Sequence, residues 1–176
     1  TELLIRTYEM LKKKPLILQR YQQRFQHILI DEFQDTNNIQ YDLIRLLAGD
    51  SGRVMIVGDD DQSIYGWRGA QVENIQKFLK DYPKAETIRL EQNYRSTGHI
   101  LSAANELIAN NDNRLGKNLW TASGNGDPVE IYCDFNELDE ARFVASQIQQ
   151  WKEDEGSYSE CAVLYRSNSQ SRVIEE

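Results

Sequence analysis

The sequence predicts an α/β fold with largely parallel sheets, and three observations carry that expectation. Short aliphatic runs at 25–30 and 54–57 each lead into a polar, acidic loop. Between and after them lie segments whose apolar residues recur at helical spacing. Strands of this length alternating with helices form βαβ units, whose crossovers bring neighbouring strands parallel.

Each element follows in chain order. Leu3, Leu4, Tyr8 and Leu11 share one face of a helix, and Pro15 breaks or restarts it. The run 25–30 reads as a buried strand ending at Asp31. Ile39, Leu43, Leu46 and Leu47 mark the next helix, which Thr36 or Asn37 can cap and Gly49 can end. Residues 54–57 form a second buried strand running into the loop 58–69. Val72, Ile75, Phe78 and Leu79 give another helix, and 87–90 a third strand. Beyond Leu90 a fresh α/β unit begins. Ser96 can cap a helix whose apolar face is Ile100, Leu101, Ala104, Leu107 and Ile108. A polar stretch, 110–128, leads to a strand at 129–133 and a helix capped by Asn136. Ala141, Val144, Ala145, Ile148 and Trp151 give that helix its stripe, and a last strand lies at 161–165. The domains are therefore expected at 1–90 and 91–176.

Composition narrows the function classes. The 176 residues carry 20 Lys and Arg against 28 Asp and Glu, a formal charge of −8. That balance argues against a broad basic face gripping nucleic acid, but leaves room for a local cationic site. No apolar run approaches the ~20 residues of a membrane span, so no membrane partner is expected. Cys133 and Cys161 stand outside any CxxC pattern and are expected to pack as small hydrophobes in a reduced, cytoplasmic setting. His27 and His99 read as surface or sheet-edge residues, without partners at metal-ligand spacing. The sequence opens without Met and stops inside an apparent helix start at 171–176, so it reads as a piece of a longer protein.

Two strings carry chemistry. Ile28-Leu29-Ile30-Asp31-Glu32-Phe33-Gln34-Asp35 delivers adjacent carboxylates at the tip of an aliphatic strand. Ligands of open α/β sheets bind beyond the carboxyl ends of the strands. One carboxylate there can hold Mg²⁺ while its neighbour deprotonates a water attacking a γ-phosphate. The plainer reading is that both acids begin a solvated loop. The second string follows the next strand: Gly58-Asp59-Asp60-Asp61-Gln62-Ser63-Ile64-Tyr65-Gly66-Trp67-Arg68-Gly69-Ala70. Gln62 can hydrogen-bond a phosphate oxygen or water. Tyr65, Trp67 and Arg68 suit stacking on unpaired bases and gripping a backbone. Alternatively, the two aromatics are core side chains and the three aspartates a solvated turn.

These strings, with Leu90-Glu91-Gln92-Asn93-Tyr94-Arg95-Ser96-Thr97, closely resemble superfamily 1 DNA helicases of the UvrD/PcrA/Rep type. Residues 31–34 look like the Walker B motif II, 58–70 like motif III, 91–96 like motif IV and 164–172 like motif IVa. The resemblance covers essentially the whole chain. It implies parts of two RecA-like P-loop NTPase motor domains that use ATP and Mg²⁺. Asp31 would be the metal carboxylate and Glu32 the general base; Gln62 would contact the γ-phosphate and Arg95 would act as an arginine finger. Tyr65, Trp67 and Arg68 would meet single-stranded DNA, with Arg166 and Asn168 on its backbone. The implied activity is 3′→5′ translocation and duplex unwinding in DNA repair, at duplex junctions and beside repair proteins.

One departure matters. No G-x-x-x-x-G-K-[ST] loop occurs, since Gly116-Lys117 is followed by Asn118. The chain alone is therefore expected to be inactive. A catalytically silent module binding single-stranded DNA or a protein is the main alternative. A Mg²⁺-dependent nuclease built on Asp31, Glu32 and Asp35 is a third reading.

Overall fold

The computed structural model describes residues 2–112 and 114–175. Asn113 in the polar stretch and Glu176 at the end of the expected terminal helix lie outside them. The chain divides into two compact units, Thr1–Gly126 and Asp127–Glu176.

In the first unit, α1 (Glu2–Lys13) and α2 (Pro15–Arg24) form a broken pair, with Pro15 at the first turn of α2. Proline is tolerated there because its missing N–H would have no intrahelical partner, so it restarts a helix. β1 (His27–Ile30) and β2 (Arg53–Ile56) pair in parallel, with Ile28 opposite Val54 and Ile30 opposite Ile56. α3 (Asn38–Ala48) crosses between them. Asn37 caps it through a reciprocal box: its Oδ1 accepts from the Gln40 N–H at 3.0 Å, and Gln40 Oε1 accepts from the Asn37 N–H at 2.8 Å. Gly49, at φ +55°, ends the helix. α4 (Glu73–Asp81) follows, then α5 (Gly98–Ile108).

The core lies on one face of the β1–β2 pair. Phe33, Tyr41, Ile75 and Phe78 form its centre, against Ile30, Ile44, Val54 and Ile56. Phe33 meets Tyr41 and Phe78 edge-on at centroid distances of 5.9 and 6.0 Å, the geometry aromatic quadrupoles favour. The deepest residues of α3 are Tyr41 and Ala48, so the buried stripe is turned from the one that Ile39, Leu43, Leu46 and Leu47 define. Burial and the hydrogen bond to Asp81 at 2.6 Å push the Tyr41 phenol pKa up.

The second unit contains α6 (Glu137–Glu153) and α7 (Asn168–Glu175). Asn136 caps α6, its Oδ1 accepting from Leu138 and Asp139 N–H at 3.0 Å each. Phe143 stacks flat on Tyr132 at 3.7 Å.

Three expected strands are corrected. Residues 87–90, 129–133 and 161–165 are not strands, and Ile88, Ile131 and Leu164 are exposed. Their apolar residues do encode extended, burial-seeking segments, but a strand also needs a neighbour to take its hydrogen bonds. Among the described residues the only pairing in these regions is one parallel bridge, Gln92 with Trp120. The N-cap position of α5 is Thr97 rather than Ser96, and its side chain makes no capping hydrogen bond. Cys133 is exposed and Cys161 half-buried, so neither packs in a strand interior.

Candidate nucleotide site and coupling loop

The acidic tip forms where β1 ends and the chain turns into a short 3₁₀ turn, Phe33–Asp35. Phe33 is completely buried and its N–H donates to the Val57 carbonyl at 3.0 Å, which pins the turn beneath the sheet. Its predecessor Glu32 must then reverse direction, and does so at φ +49°, a left-handed conformation unusual for a residue with a Cβ. Asp31 and Glu32 are thereby left exposed, and Asp31 Oδ1 accepts from the Glu32 N–H at 2.9 Å. Asp31, Glu32 and Asp35 line one open cleft of about 360 Å³ with Leu4, Gln40 and Leu43. Asp35 Oδ1 is buried there without a hydrogen-bond partner among the described residues. The three carboxylates share the cleft without converging as one ligand set, and the unsatisfied Asp35 Oδ1 is the acceptor there that a small hard cation such as Mg²⁺ would satisfy. Among the described residues no lysine lines the cleft, whereas the nuclease reading calls for one.

Gln34 is the residue that sequence reasoning missed. It is 1% exposed. Its Nε2 donates to Glu32 Oε2 at 2.7 Å and its Oε1 accepts from the Asp59 N–H at 2.9 Å. It joins the acidic tip to the loop after β2. Gly58 permits this, because a Cβ there would stand 2.8 Å from Gln34 Oε1. A glutamine flanked by Phe33 and Asp35 carries no local signal of such a role, since its second partner lies 25 residues away.

The loop continues as two short 3₁₀ turns, Asp60–Gln62 and Gly66–Arg68. Gln62 Nε2 donates to Asp59 Oδ2 at 2.6 Å. Glu32, Gln34, Asp59 and Gln62 thus form one hydrogen-bonded chain. At the far end Trp67 is 75% exposed, which rules out a core role for it. The Arg68 guanidinium lies 4.4 Å from the Trp67 ring centroid and 5.2 Å from that of Tyr65. The three side chains make one exposed aromatic and cationic patch.

The three aspartates are not a bare solvated turn. Arg114 donates to both oxygens of Asp61 at 2.7 Å, and Lys117 pairs with Asp59. The Arg114 hydrogen bonds hold the Asp61 carboxyl below its ordinary value of 3.8 despite burial. The stabilisation from this pair is therefore complete above the ordinary value and is lost as pH falls through the lower folded one.

Arg95 is exposed, and its side chain makes no ion pair among the described residues. Its backbone N–H donates to Asn93 Oδ1 at 2.9 Å. Glu91, the acid that could have pinned it, instead accepts from the Asn118 N–H at 3.3 Å. Arg166 and Asn168 belong to the second unit, both exposed, with Asn168 opening α7. His27 is exposed at the start of β1, and His99 Nδ1 lies 2.9 Å from the Gly126 carbonyl.

Comparison with known proteins identifies the family. The UvrD/REP helicase N-terminal domain matches residues 1–83, and the UvrD-like helicase C-terminal domain matches residues 88–176. DNA helicase II of Haemophilus influenzae is 78% identical over 175 residues, and that of Escherichia coli 70%. The ATP-dependent DNA helicase PcrA of Staphylococcus aureus is 51% identical over the same length. Each alignment covers 99% of this chain but only 24% of the relative. With both domain families matched end to end, the chain belongs to the UvrD/REP family of helicases.

Proposed function

We propose that this chain is the middle of an ATP-driven DNA motor, spanning parts of two RecA-like domains, 1–90 and 91–176. The whole protein would move 3′→5′ on single-stranded DNA and unwind duplex junctions in DNA repair, in the cytoplasm and beside repair proteins. The observation that carries the reading is the hydrogen-bonded chain from Glu32 through Gln34 and Asp59 to Gln62. It links a carboxylate suited to water activation with the loop that presents Tyr65, Trp67 and Arg68. The names of the relatives and the break between the family matches, at 83–88, support it further.

The residues divide the work. Glu32 orients the attacking water and accepts its proton. Asp31 would hold Mg²⁺, with Asp35 beside it; the ion supplies charge neutralisation for the phosphate oxygens of ATP. Gln62 turns its amide from Asp59 to a γ-phosphate oxygen and so reports nucleotide state to its own loop. Arg95 stabilises charge on the transferred phosphoryl group as an arginine finger. Tyr65 and Trp67 stack on bases, Arg68 supports them, and Arg166 and Asn168 hold the DNA backbone.

The test compares the full-length protein with this chain. The full-length protein should hydrolyse ATP in response to single-stranded DNA and unwind a 3′-tailed duplex in preference to a 5′-tailed one. This chain alone should do neither, because its sequence holds no G-x-x-x-x-G-K-[ST] loop to cradle the phosphates. ATP turnover by the purified chain that vanished with Glu32→Gln would contradict the proposal, as would a full-length protein indifferent to DNA.

A further inference from the structure

Asp59, Asp60 and Asp61 bring three carboxylate oxygens within 4.8 Å of one another. Like charges so close repel strongly unless cations or N–H groups meet them. One short segment meets all three. Arg114 Nε and Nη2 each donate to Asp61 at 2.7 Å, the Leu115 N–H donates to Asp60 Oδ2 at 2.7 Å, and Lys117 pairs with Asp59. The three ion pairs, Arg114–Asp61, Lys117–Asp59 and Lys117–Asp61, are largely shielded, with side-chain exposures between 10% and 23%. Shielding of this kind makes geometry matter, because a low local dielectric strengthens aligned pairs and penalises misaligned ones.

At Trp120 the same segment pairs with the stretch that precedes α5. Trp120 N–H donates to the Glu91 carbonyl at 3.0 Å, and Asn93 N–H donates to the Trp120 carbonyl at 2.7 Å. Asn93 Oδ1 in turn accepts from Arg95 and Ser96 N–H groups at 2.9 and 2.7 Å. Residues 114–120 therefore run as a strut from the acidic turn that holds Gln62 to the turn that carries Arg95. Lys117 and Gln62 also share Asp59: Lys117 sits on Oδ1 while Gln62 donates to Oδ2. A carboxylate fixed by one donor presents its other oxygen in a fixed direction. The resting place of the Gln62 amide is thus set from residue 117.

We infer that Arg114, with Lys117, is a positioning residue: it clamps the acidic turn to the Glu91–Arg95 segment and so sets where Gln62 stands relative to Arg95. This rests on the roles proposed above for Gln62 and Arg95. Neither Arg114 nor Lys117 need touch nucleotide or DNA.

The experiment uses the full-length protein with Arg114→Ala, Arg114→Lys, Asp61→Asn, the double variant Arg114→Ala with Asp61→Asn, and the exchanged pair Arg114→Asp with Asp61→Arg. ATP turnover with single-stranded DNA is measured per folded molecule, together with KM for ATP and the melting temperature. Arg114→Ala should lower the DNA-stimulated kcat about tenfold or more, since small misplacements of reacting groups are costly, and leave KM within about twofold. Arg114→Lys should recover little, because an ammonium cannot make the bidentate contact. The exchanged pair should recover more than either single variant. Melting shifts of Arg114→Ala and Asp61→Asn should fall short of adding up in the double variant, as expected for partners. Unchanged stimulation in Arg114→Ala would overturn the positioning role, and additive melting shifts would overturn the clamp itself. A wild-type protein without DNA-stimulated turnover would instead sink the underlying motor reading, and the melting cycle would still report on the clamp.

Discussion

Glu32 is held by a contact that no substitution of charge alone would reveal. Its Oε2 accepts from Gln34, a side chain 1% exposed whose other end is fixed by the Asp59 N–H. The sequence makes Asp31 and Glu32 legible, because paired acids after an aliphatic strand are a local pattern. Gln34 is illegible for the opposite reason, since its partners are assembled only by the β1–β2 pairing. Trp67 was open to two readings from sequence, and its 75% exposure decides between them. An exposed indole between Gly66 and a cation loses little fold stability on truncation. Trp67→Ala in the full-length protein should therefore leave the melting temperature nearly unchanged. It should weaken single-stranded DNA binding by about 1–3 kcal/mol, the usual worth of one base–aromatic stack. A titration at fixed salt beside a thermal melt checks both. A lower melting temperature with unchanged DNA affinity would return Trp67 to a packing role.

At the scale of elements, the legible parts are those whose stabilising contacts are local. α3 and α6 were capped where the sequence placed Asn37 and Asn136, because a cap is a contact between residues two or three apart. α4 buried Ile75 and Phe78 as their spacing required. The segments 87–90, 129–133 and 161–165 failed as strands because pairing is not local, and no described strand pairs with them. Asn37 allows this distinction to be measured. The box holds the first turn of α3, which sits directly behind the acidic tip through Gln40, a wall of the cleft. Asn37→Ala removes the Oδ1 acceptor and should cost about 1 kcal/mol. In hydrogen exchange, the Gln40 amide should lose about fivefold in protection, the factor that energy corresponds to. Protection unchanged at Gln40 would mean that burial of Tyr41, rather than the cap, sets the start of the helix.

For the whole molecule, the acid-rich composition and a DNA-handling role are compatible because the charge is organised. Arg114 and Lys117 occupy the carboxylates of the Asp59–Asp61 turn, so the loop that bears Arg68 is not a naked acidic surface. A net charge of −8 describes the chain and not the patch. Nor was the organisation of the 110–128 stretch readable in advance. It read only as a polar stretch, and only the fold brings Arg114 to Asp61, 53 residues away. The chain spans 24% of the length of its relatives, and the tests proposed are therefore set in the full-length protein. Everything proposed for that protein depends on Glu32 acting as the base at the tip of β1. Substituting Glu32→Gln keeps the side chain's size and its hydrogen-bonding reach to Gln34 but removes the proton acceptor. Single-turnover ATP hydrolysis by full-length Glu32→Gln protein, with single-stranded DNA present and nucleotide binding measured in parallel, is the most direct test. The account predicts retained ATP binding with hydrolysis slowed by about 10²–10⁴-fold, the contribution typical of a positioned base; hydrolysis at half the wild-type rate would contradict it.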